Sequence, residues 1–198
     1  MKLVSKSDLI KIFDREIDLL IDGVTNISNP YHFFSLATLN KKKVTSRTVV
    51  LRRVDRNPLS IYFNADYRSP KIKQLLDKKY CSILFYDNKR KMQLRANCDA
   101  SVNYKNHLTK EIWDNTPLQS RKCYMGKHKP SQQLEQWHPN VPLKYLKRDP
   151  EKSDSESGYN NFTVVHLFIN QLDILELHHD GHIRFTLDSD KKLCFLAP

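Results

Sequence analysis

Short segments with the composition of β-strands, each followed by a turn signal, recur along most of this 198-residue chain. Five lie in the first half, at 33–40, 44–54, 59–64, 81–87 and 92–102, and four near the end, at 162–170, 172–177, 183–187 and 193–196. Strands separated by turns at intervals of about 8–12 residues are typical of a barrel or a sandwich. We therefore predict a mainly β chain with flanking helices, an α+β fold whose antiparallel C-terminal strands over 162–198 complete the barrel.

Helical patterns flank these strands at 5–22, at 69–79 and near 106–115. The first is amphipathic, and Ser5 and Asp8 have the spacing of a capping box. The segment at about 140–160 combines Pro, Lys, Ser and Asn without periodicity, so we expect a mobile loop there. We find no internal repeat and predict a single domain over 1–198.

Composition excludes several classes of protein. Hydrophobic residues make up 39% of the chain, which is enough for a packed core and more than a disordered chain carries. With 4 glycines, the chain has neither a Walker loop nor a GxGxxG pattern. No apolar run approaches the roughly 18–20 residues of a membrane span, and the N-terminus lacks the apolar stretch of a signal peptide. We therefore expect no membrane association.

The four cysteines, Cys81, Cys98, Cys123 and Cys194, are scattered and form no CxxC motif. We interpret them as free, mostly buried thiols of a protein in the reducing cytoplasm. No Cys/His cluster has the spacing of metal ligands, so we predict no metal site.

The formal net charge of +11 favours polyanions or phosphorylated ligands, although lysines that only face solvent would explain it equally well. In the run 44–54, Arg47 shares the side-chain parity of Val49 and Leu51, and a charge on an apolar face must pair, reach solvent or meet an anion. Gln93 and Arg95 likewise share one face of their predicted strand.

A second group of cations lies where a strand is followed by a helix. Arg68, Ser69 and Lys71 surround Pro70, which suits the first position of a helix. Two interpretations remain open from these residues alone. Ser69 explains the pattern as an N-cap with incidental charges, and the positive helix end with Arg68 and Lys71 explains it as a phosphate site.

The order of several segments resembles the pyridoxamine 5'-phosphate oxidase family, which has the FMN-binding split-barrel fold. The similar segments are FSLATLN, SRTVVLRRVD, LSIYFNADYRSPKIKQL, MQLRANCDAS, HIRF and LAP. They span about residues 30–102 and resume near 160–198. The resemblance implies a homodimer of split β-barrels with FMN bound between the two subunits.

The resemblance also implies which residues hold the flavin. The cofactor-binding candidates are Arg47, Thr48, Val49, Val50, Ala65, Arg68, Ser69, Lys71, Gln93, Ser131 and Arg184. Within this set, Arg47 begins the family's Arg-x-x-x-Leu motif and Gln93 begins its Gln-x-Arg strand. The match of residues 68–71 to the family's phosphate segment decides the open question about Arg68, Ser69 and Lys71 in favour of a phosphate site.

On the substrate side the chain departs from the vitamin-B6 enzymes. Asp180-Gly181-His182 stands where they have an Arg-Leu-His clamp, and no Trp precedes the closing His-x-Arg. The substrate-binding candidates are Arg52, Trp113, Arg121 and His182, and we assign no acid, base or other catalytic residue. We therefore expect an FMN-dependent oxidoreductase whose small-molecule substrate differs from that of the vitamin-B6 enzyme. The alternatives are a non-catalytic flavin-binding protein and, less favoured, a basic β-barrel that binds nucleic acid.

Overall fold

The computed structural model describes residues 4–190 and 192–198. The chain folds into two compact units. The first unit comprises Met1–Phe63, Lys78–Ser101 and His166–Pro198, and the second comprises Asn64–Asp77 and Val102–Val165. The single domain predicted over 1–198, which includes Met1–Leu3 and Lys191 outside the described residues, stays a prediction.

The secondary structure has the mainly β composition with flanking helices that the sequence predicts. The strands are β1 (Phe33–Asn40), β2 (Lys43–Val50), β3 (Arg53–Arg56), β4 (Leu59–Asp66), β5 (Tyr80–Asp87), β6 (Met92–Asn103), β7 (Phe162–Glu176), β8 (Ile183–Asp188) and β9 (Leu193–Phe195). The α-helices are α1 (Lys6–Gly23), α2 (Pro70–Asp77), α3 (His107–Asp114), α4 (Leu118–Arg121) and α5 (Lys152–Ser155). Turns of 3₁₀-helix occur at Pro30–His32, Lys122–Tyr124, Leu143–Tyr145 and Glu156–Asn161.

The strands form one sheet in the order β2-β1-β5-β6-β7-β4-β3, and β8 pairs with both β7 and β9. The pairs β1–β2, β1–β5, β3–β4, β5–β6, β7–β8 and β8–β9 are antiparallel. The strands that follow residue 161 therefore join the sheet begun by the first strands, as predicted.

The run 44–54, predicted as one strand, is divided because the chain changes partner at Leu51 and Arg52. The backbone N–H of Leu51 donates to the carbonyl of His32 at 2.9 Å, beyond the end of β1. The N–H of the next residue, Arg52, donates to the carbonyl of Tyr62 on β4, also at 2.9 Å. The chain thus leaves β1 and continues as β3 beside β4. Conversely, the runs 162–170 and 172–177, which were predicted as two strands, form a single strand, β7.

The first unit has a core of aliphatic and aromatic side chains. The predicted helix is confirmed as α1, and its capping box joins the backbone N–H of Asp8 to Ser5 Oγ at 3.3 Å and the N–H of Ser5 to the Asp8 carboxylate at 3.0 Å. Its apolar face is buried, with Ile17 fully covered. Burying one such side chain stabilises the fold by about 1.5–3 kcal/mol. In the same core, the Phe34 ring lies 5.0 Å from the Phe85 ring.

The second unit has its own aromatic core. The Trp113 ring lies 5.1 Å from the ring of Phe162, and the ring of Phe162 lies 5.0 Å from that of Tyr124. The segment at about 140–160, predicted as a loop, instead contains α5 and two 3₁₀ turns. Tyr145 and Ser155 in this segment are buried. The predicted mobility of the segment stays a prediction.

All four cysteines are free thiols, as predicted. Cys81 and Cys98 are buried, on opposed positions of β5 and β6, but Cys123 and Cys194 are exposed. The prediction of mostly buried thiols is therefore wrong for two of the four. Cys123 lies on a 3₁₀ turn and Cys194 on the short strand β9, where neither side chain has a layer packed over it.

Among the described residues, none of the helices combines the length and the apolar character that crossing a bilayer requires.

Candidate functional site

The residues predicted to form the site fall in both units of the structure. Those in the first unit are Arg47, Thr48, Val49, Val50, Arg52, Gln93, His182 and Arg184, and those in the second are Ala65, Arg68, Ser69, Lys71, Trp113, Arg121 and Ser131. The contacts within each unit show how each side chain is held.

On β2, Arg47 is half-buried and turned towards the covered face of the sheet. Its guanidinium donates to Thr38 Oγ1 at 2.5 Å, to Thr45 Oγ1 at 2.8 Å and to the carbonyl of Leu36 at 3.2 Å. Burial disfavours the charged form and lowers the pKa of Arg47. An anion beside this guanidinium would offset that cost. The next residue, Thr48, is exposed on the opposite face.

At the start of α2 the predicted cations are only partly available. Arg68 forms two hydrogen bonds with the carboxylate of Asp66, at 2.7 and 3.0 Å, and donates to the carbonyl of Gly126 at 2.9 Å. The Asp66 hydrogen bond raises the pKa of Arg68 and offsets its charge. Lys71 Nζ donates to Oγ of the buried Ser69 at 3.3 Å. The structure therefore brings Ser69 and Lys71 together, and it pairs the neighbouring Arg68 with the carboxylate of Asp66.

Just before this segment lies an incompletely bonded polar group. The side-chain oxygen of Asn64, Oδ1, is buried and has no hydrogen-bond partner among the described residues. The next residue, Ala65, is a predicted cofactor contact and is 5% exposed. A buried oxygen without a donor costs about 1–3 kcal/mol. A ligand or water that donates a hydrogen bond here would remove that cost.

The predicted flavin contact Arg184 belongs to an ion cluster that the sequence did not reveal. Its guanidinium meets the Asp173 carboxylate at 2.8 and 3.2 Å, and Arg95 reaches the same carboxylate at 2.5 Å. Burial acts to raise the pKa of Asp173, but the hydrogen bonds from Arg184 and Arg95 outweigh it, so the pKa is lowered. Asp173 lies on β7 and Arg95 on β6, and no sequence spacing signals this pairing. Gln93, two residues before Arg95 on the same face, is half-buried.

Two of the predicted substrate residues, Arg52 and His182, are exposed in the first unit. Arg52 lies where the chain changes partner between β2 and β3. The ring of His182 is oriented by a hydrogen bond from the backbone N–H of His178 to Nδ1, at 3.1 Å. Both side chains are accessible to a ligand.

The other two predicted substrate residues, Trp113 and Arg121, are buried in the second unit, with exposures of 0% and 2%. The Arg121 guanidinium lies 4.7 Å from the centre of the Trp113 ring and 2.8 Å from the carboxylate of Glu156. It also donates to Ser155 Oγ and to the carbonyls of Asp114 and Thr116, at 3.0–3.2 Å. The described contacts of Arg121 thus stabilise the unit from inside, and its predicted role in substrate binding stays a prediction.

We expect Arg121→Met to lower the free energy of unfolding by about 2–4 kcal/mol, because buried carbonyls lose a charged donor and Trp113 loses its cation. Lys110→Met is the matched control, since the exposed Lys110 pairs with Asp114 and Glu156 at the surface of the same unit and its loss should change little. Urea unfolding measures both variants. Equal stability of Arg121→Met and the wild type would contradict the structural role.

The remaining predicted contact, Ser131, is exposed on a loop of the second unit, with φ 64. The loop is closed by Asn140, whose side chain accepts from the N–H of His128 and donates to the carbonyl of His128, both at 3.0 Å. Gly126 packs against the same residue, since a Cβ on it would lie 2.2 Å from the Asn140 carbonyl oxygen. Ser131 is therefore held on an ordered loop with its side chain accessible.

Comparison with known proteins identifies the part of the chain that carries most of these residues. Residues 17–103 match the family model described as pyridoxamine 5'-phosphate oxidase, FMN-binding domain. No curated protein sequence matches the chain significantly.

Two solved structures share the fold over the whole chain. A pyridoxamine 5'-phosphate oxidase-related, FMN-binding protein of Nostoc punctiforme is 18% identical, with a TM-score of 0.68 and coverage of 100% of both chains. PhzG from Burkholderia lata, solved in complex with tetrahydrophenazine-1-carboxylic acid, is 16% identical, with a TM-score of 0.71 and coverage of 100% of this chain and 98% of PhzG. At these identities the likeness establishes the split-barrel fold.

Proposed function

We propose that the chain binds FMN and is an FMN-dependent oxidoreductase, because residues 17–103 match the family model described as pyridoxamine 5'-phosphate oxidase, FMN-binding domain. In this proposal two electrons pass between a small substrate and the flavin. The observation that carries the proposal is the family match, which contains the strand with Arg47, the phosphate segment at Arg68–Lys71 and the strand with Gln93.

The residues of the second unit fit the phosphate end of such a cofactor. Ser69 and Lys71 lie together at the positive end of α2, where backbone N–H groups and a cation favour an anion. The buried Asn64 Oδ1 needs a donor that the described residues do not supply, which suits an N–H or hydroxyl group of the cofactor and not its phosphate. We propose that Arg68, Ser69 and Lys71 hold the phosphate through charge-assisted hydrogen bonds. For Arg47 we propose the role that the resemblance implies, a contact of the flavin cofactor.

The remaining predicted contacts would position the ring system. We propose this role for Thr48, Val49, Val50, Ala65, Gln93, Ser131 and Arg184. When bound, the flavin supplies the two-electron chemistry, and the protein supplies binding and orientation. Among the predicted substrate residues, Arg52 and His182 are accessible and would orient the substrate, whereas Trp113 and Arg121 would have to act from a buried position.

We propose a small molecule other than the vitamin-B6 phosphates as the substrate. Asp180 stands where the resemblance would place the clamping arginine, and an acidic side chain repels a phosphate. PhzG, which shares the fold, has been solved with a small cyclic carboxylic acid. A substrate as small as that ligand of PhzG would agree with our proposal of a small molecule.

We further propose that the chain forms a homodimer. Phe33 and Leu39 share one side of β1, and Val44 opposes Leu39 on β2. Their exposed fractions are 50%, 37% and 69%, respectively. Apolar side chains grouped on one face of a sheet favour burial against a second copy. The proposed cytoplasmic location and the FMN site between two subunits stay predictions.

The visible spectrum of the protein as purified tests the cofactor. We expect flavin absorption bands, and mass spectrometry of the material released by heat should identify riboflavin phosphate. A colourless preparation that gains no colour with added FMN would contradict the proposal, and steeply salt-dependent binding of DNA or RNA would then favour the nucleic-acid alternative. A yellow protein without turnover across panels of amines, alcohols and pyridoxine phosphates would favour the non-catalytic flavin-binding protein.

A further inference from the structure

A cavity of about 530 Å³ lies beside strands β1, β2, β5, β6 and β7, and residues of the first unit line it. Its residues Ser35, Ala37 and Ser46 share the face of β1 and β2 that carries Phe33, Leu39 and Val44, so in the proposed homodimer the cavity would lie at the subunit interface. We propose that this cavity binds the carboxylate group of a small, flat molecule and that Arg95 recognises it. None of the predicted cofactor or substrate residues lines the cavity, but the predicted flavin contact Arg184 shares the Asp173 carboxylate with Arg95. The inference therefore concerns a second ligand beside the proposed flavin contacts.

Arg95 has the geometry of a recognition residue. Its side chain is 48% exposed, and one of its terminal nitrogens lies 2.5 Å from Oδ2 of Asp173. Within residues 4–190 and 192–198, this carboxylate is the only hydrogen-bond partner found for the guanidinium. A guanidinium has five N–H donors in a planar fork that matches a carboxylate. Asp173 therefore holds the fork in place and leaves other donors for a ligand.

The charges of the ion cluster select the class of anion. Arg95 and Arg184 share the carboxylate of Asp173, which is 14% exposed on its side chain. Its pKa is lowered by these two contacts, so it stays ionised near neutral pH. Two positive charges and one negative charge leave a net charge of +1. This balance suits a carboxylate with one negative charge better than a phosphate with about two.

The rest of the lining suits a small molecule with a flat apolar body. The hydroxyl groups of Ser35 and Ser46 can bond to a ligand, whereas Ser82 Oγ donates to Asn97 Oδ1 at 3.1 Å and leaves the side-chain N–H groups of Asn97 for a ligand. The apolar residues Ala37 and Leu84 supply contact surface. The volume lies within the range of about 300–1,000 Å³ that is usual for small-molecule pockets. A flat ring that carries a carboxylate combines both kinds of contact.

Calorimetric titration of the purified full-length protein with benzoate, and with its neutral isostere benzamide, tests this inference. We expect benzoate to bind at least about 10-fold more tightly than benzamide, as a charge-assisted hydrogen bond predicts. Arg95→Gln should remove this preference. Arg95→Lys, which keeps the charge without the fork, should keep part of it.

Arg53→Gln is the matched control. Arg53 is 49% exposed and pairs with the carboxylate of Asp55 in the same unit, but it does not line the cavity. The preference for benzoate should persist in this variant. Ser82→Leu, which places an aliphatic side chain in the cavity, should abolish the binding of both compounds and locates the site even if Arg95→Gln folds poorly.

Absence of benzoate binding, equal affinity for benzoate and benzamide, or an unchanged preference in Arg95→Gln would each overturn the inference. An equal loss of preference in Arg53→Gln would also overturn it, because the preference would then follow net charge. The flavin proposal is tested separately by colour. A colourless protein that prefers benzoate would contradict only the flavin, and a yellow protein indifferent to benzoate would contradict only this cavity.

Discussion

The double variant Arg47→Ala/Lys71→Ala should purify as a folded protein without flavin. Each substitution removes a cation that we propose as a contact of FMN, and one hydrogen bond to a charged group contributes about 1.5–3 kcal/mol. Two such losses should weaken FMN binding at least about 100-fold. Quenching of flavin fluorescence during titration with the apoprotein measures the dissociation constant.

Lys42→Ala/Lys73→Ala makes the same change in net charge at two exposed lysines and is the control for a general electrostatic effect. Its affinity for FMN should stay close to that of the wild type. Because Arg47 also bonds to Thr38 and Thr45, circular dichroism must show that the double variant is folded. The single variant Lys71→Ala, which leaves β2 intact, should bind FMN about 10-fold more weakly than the wild type. Full flavin occupancy in the double variant would place the phosphate elsewhere.

Arg90→Ala should lower the free energy of unfolding by about 3–5 kcal/mol. Arg90 meets both carboxylate oxygens of Glu16, at 2.7 and 2.9 Å, and Glu16 is fully buried on α1. The hydroxyl of Tyr31 donates to the same carboxylate at 2.6 Å, and Arg15 donates at 2.8 Å. Removing Arg90 leaves a buried negative charge with less than its full set of partners. Unfolding in guanidinium chloride measures this loss of stability.

Arg56→Ala is the control for this variant because Arg56 also pairs with carboxylates of α1, those of Asp14 and Asp18. These pairs are exposed, so their loss should have little effect on stability. Equal effects of Arg90→Ala and Arg56→Ala would show that the burial of Glu16 contributes nothing beyond a surface ion pair.

The same network makes stability depend on pH with a defined sign. Burial acts to raise the pKa of Glu16, but hydrogen bonds from Arg90, Tyr31 and Arg15 outweigh it, and the pKa falls below its ordinary value of 4.5. A carboxyl whose pKa is lowered by folding stabilises the protein above the unfolded pKa, and this contribution is lost as pH falls through the folded pKa. The difference in free energy of unfolding between the wild type and Arg90→Ala should therefore be constant near neutral pH and should become smaller below about pH 4.5.

Features that depend on residues close together in the sequence were predictable. The strands β1 and β4–β6 follow from alternation and turn signals, and the capping box at Ser5 and Asp8 joins residues three positions apart. The cations at Arg68 and Lys71 could be assigned to the start of a helix for the same reason. The order of segments indicated the FMN-binding family whose model matches residues 17–103, because that order lies in the sequence itself.

The partners of these cations were decided by tertiary structure. Asp173 reaches Arg95 only because β7 lies beside β6, although 78 residues separate them in the sequence. Burial of Trp113 and Arg121 likewise depends on Glu156 and Phe162, which close over them from the following segment. Alternation and capping arise between neighbouring residues and can be inferred from the sequence, whereas burial and ion pairing depend on which distant segments the sheet order brings into contact.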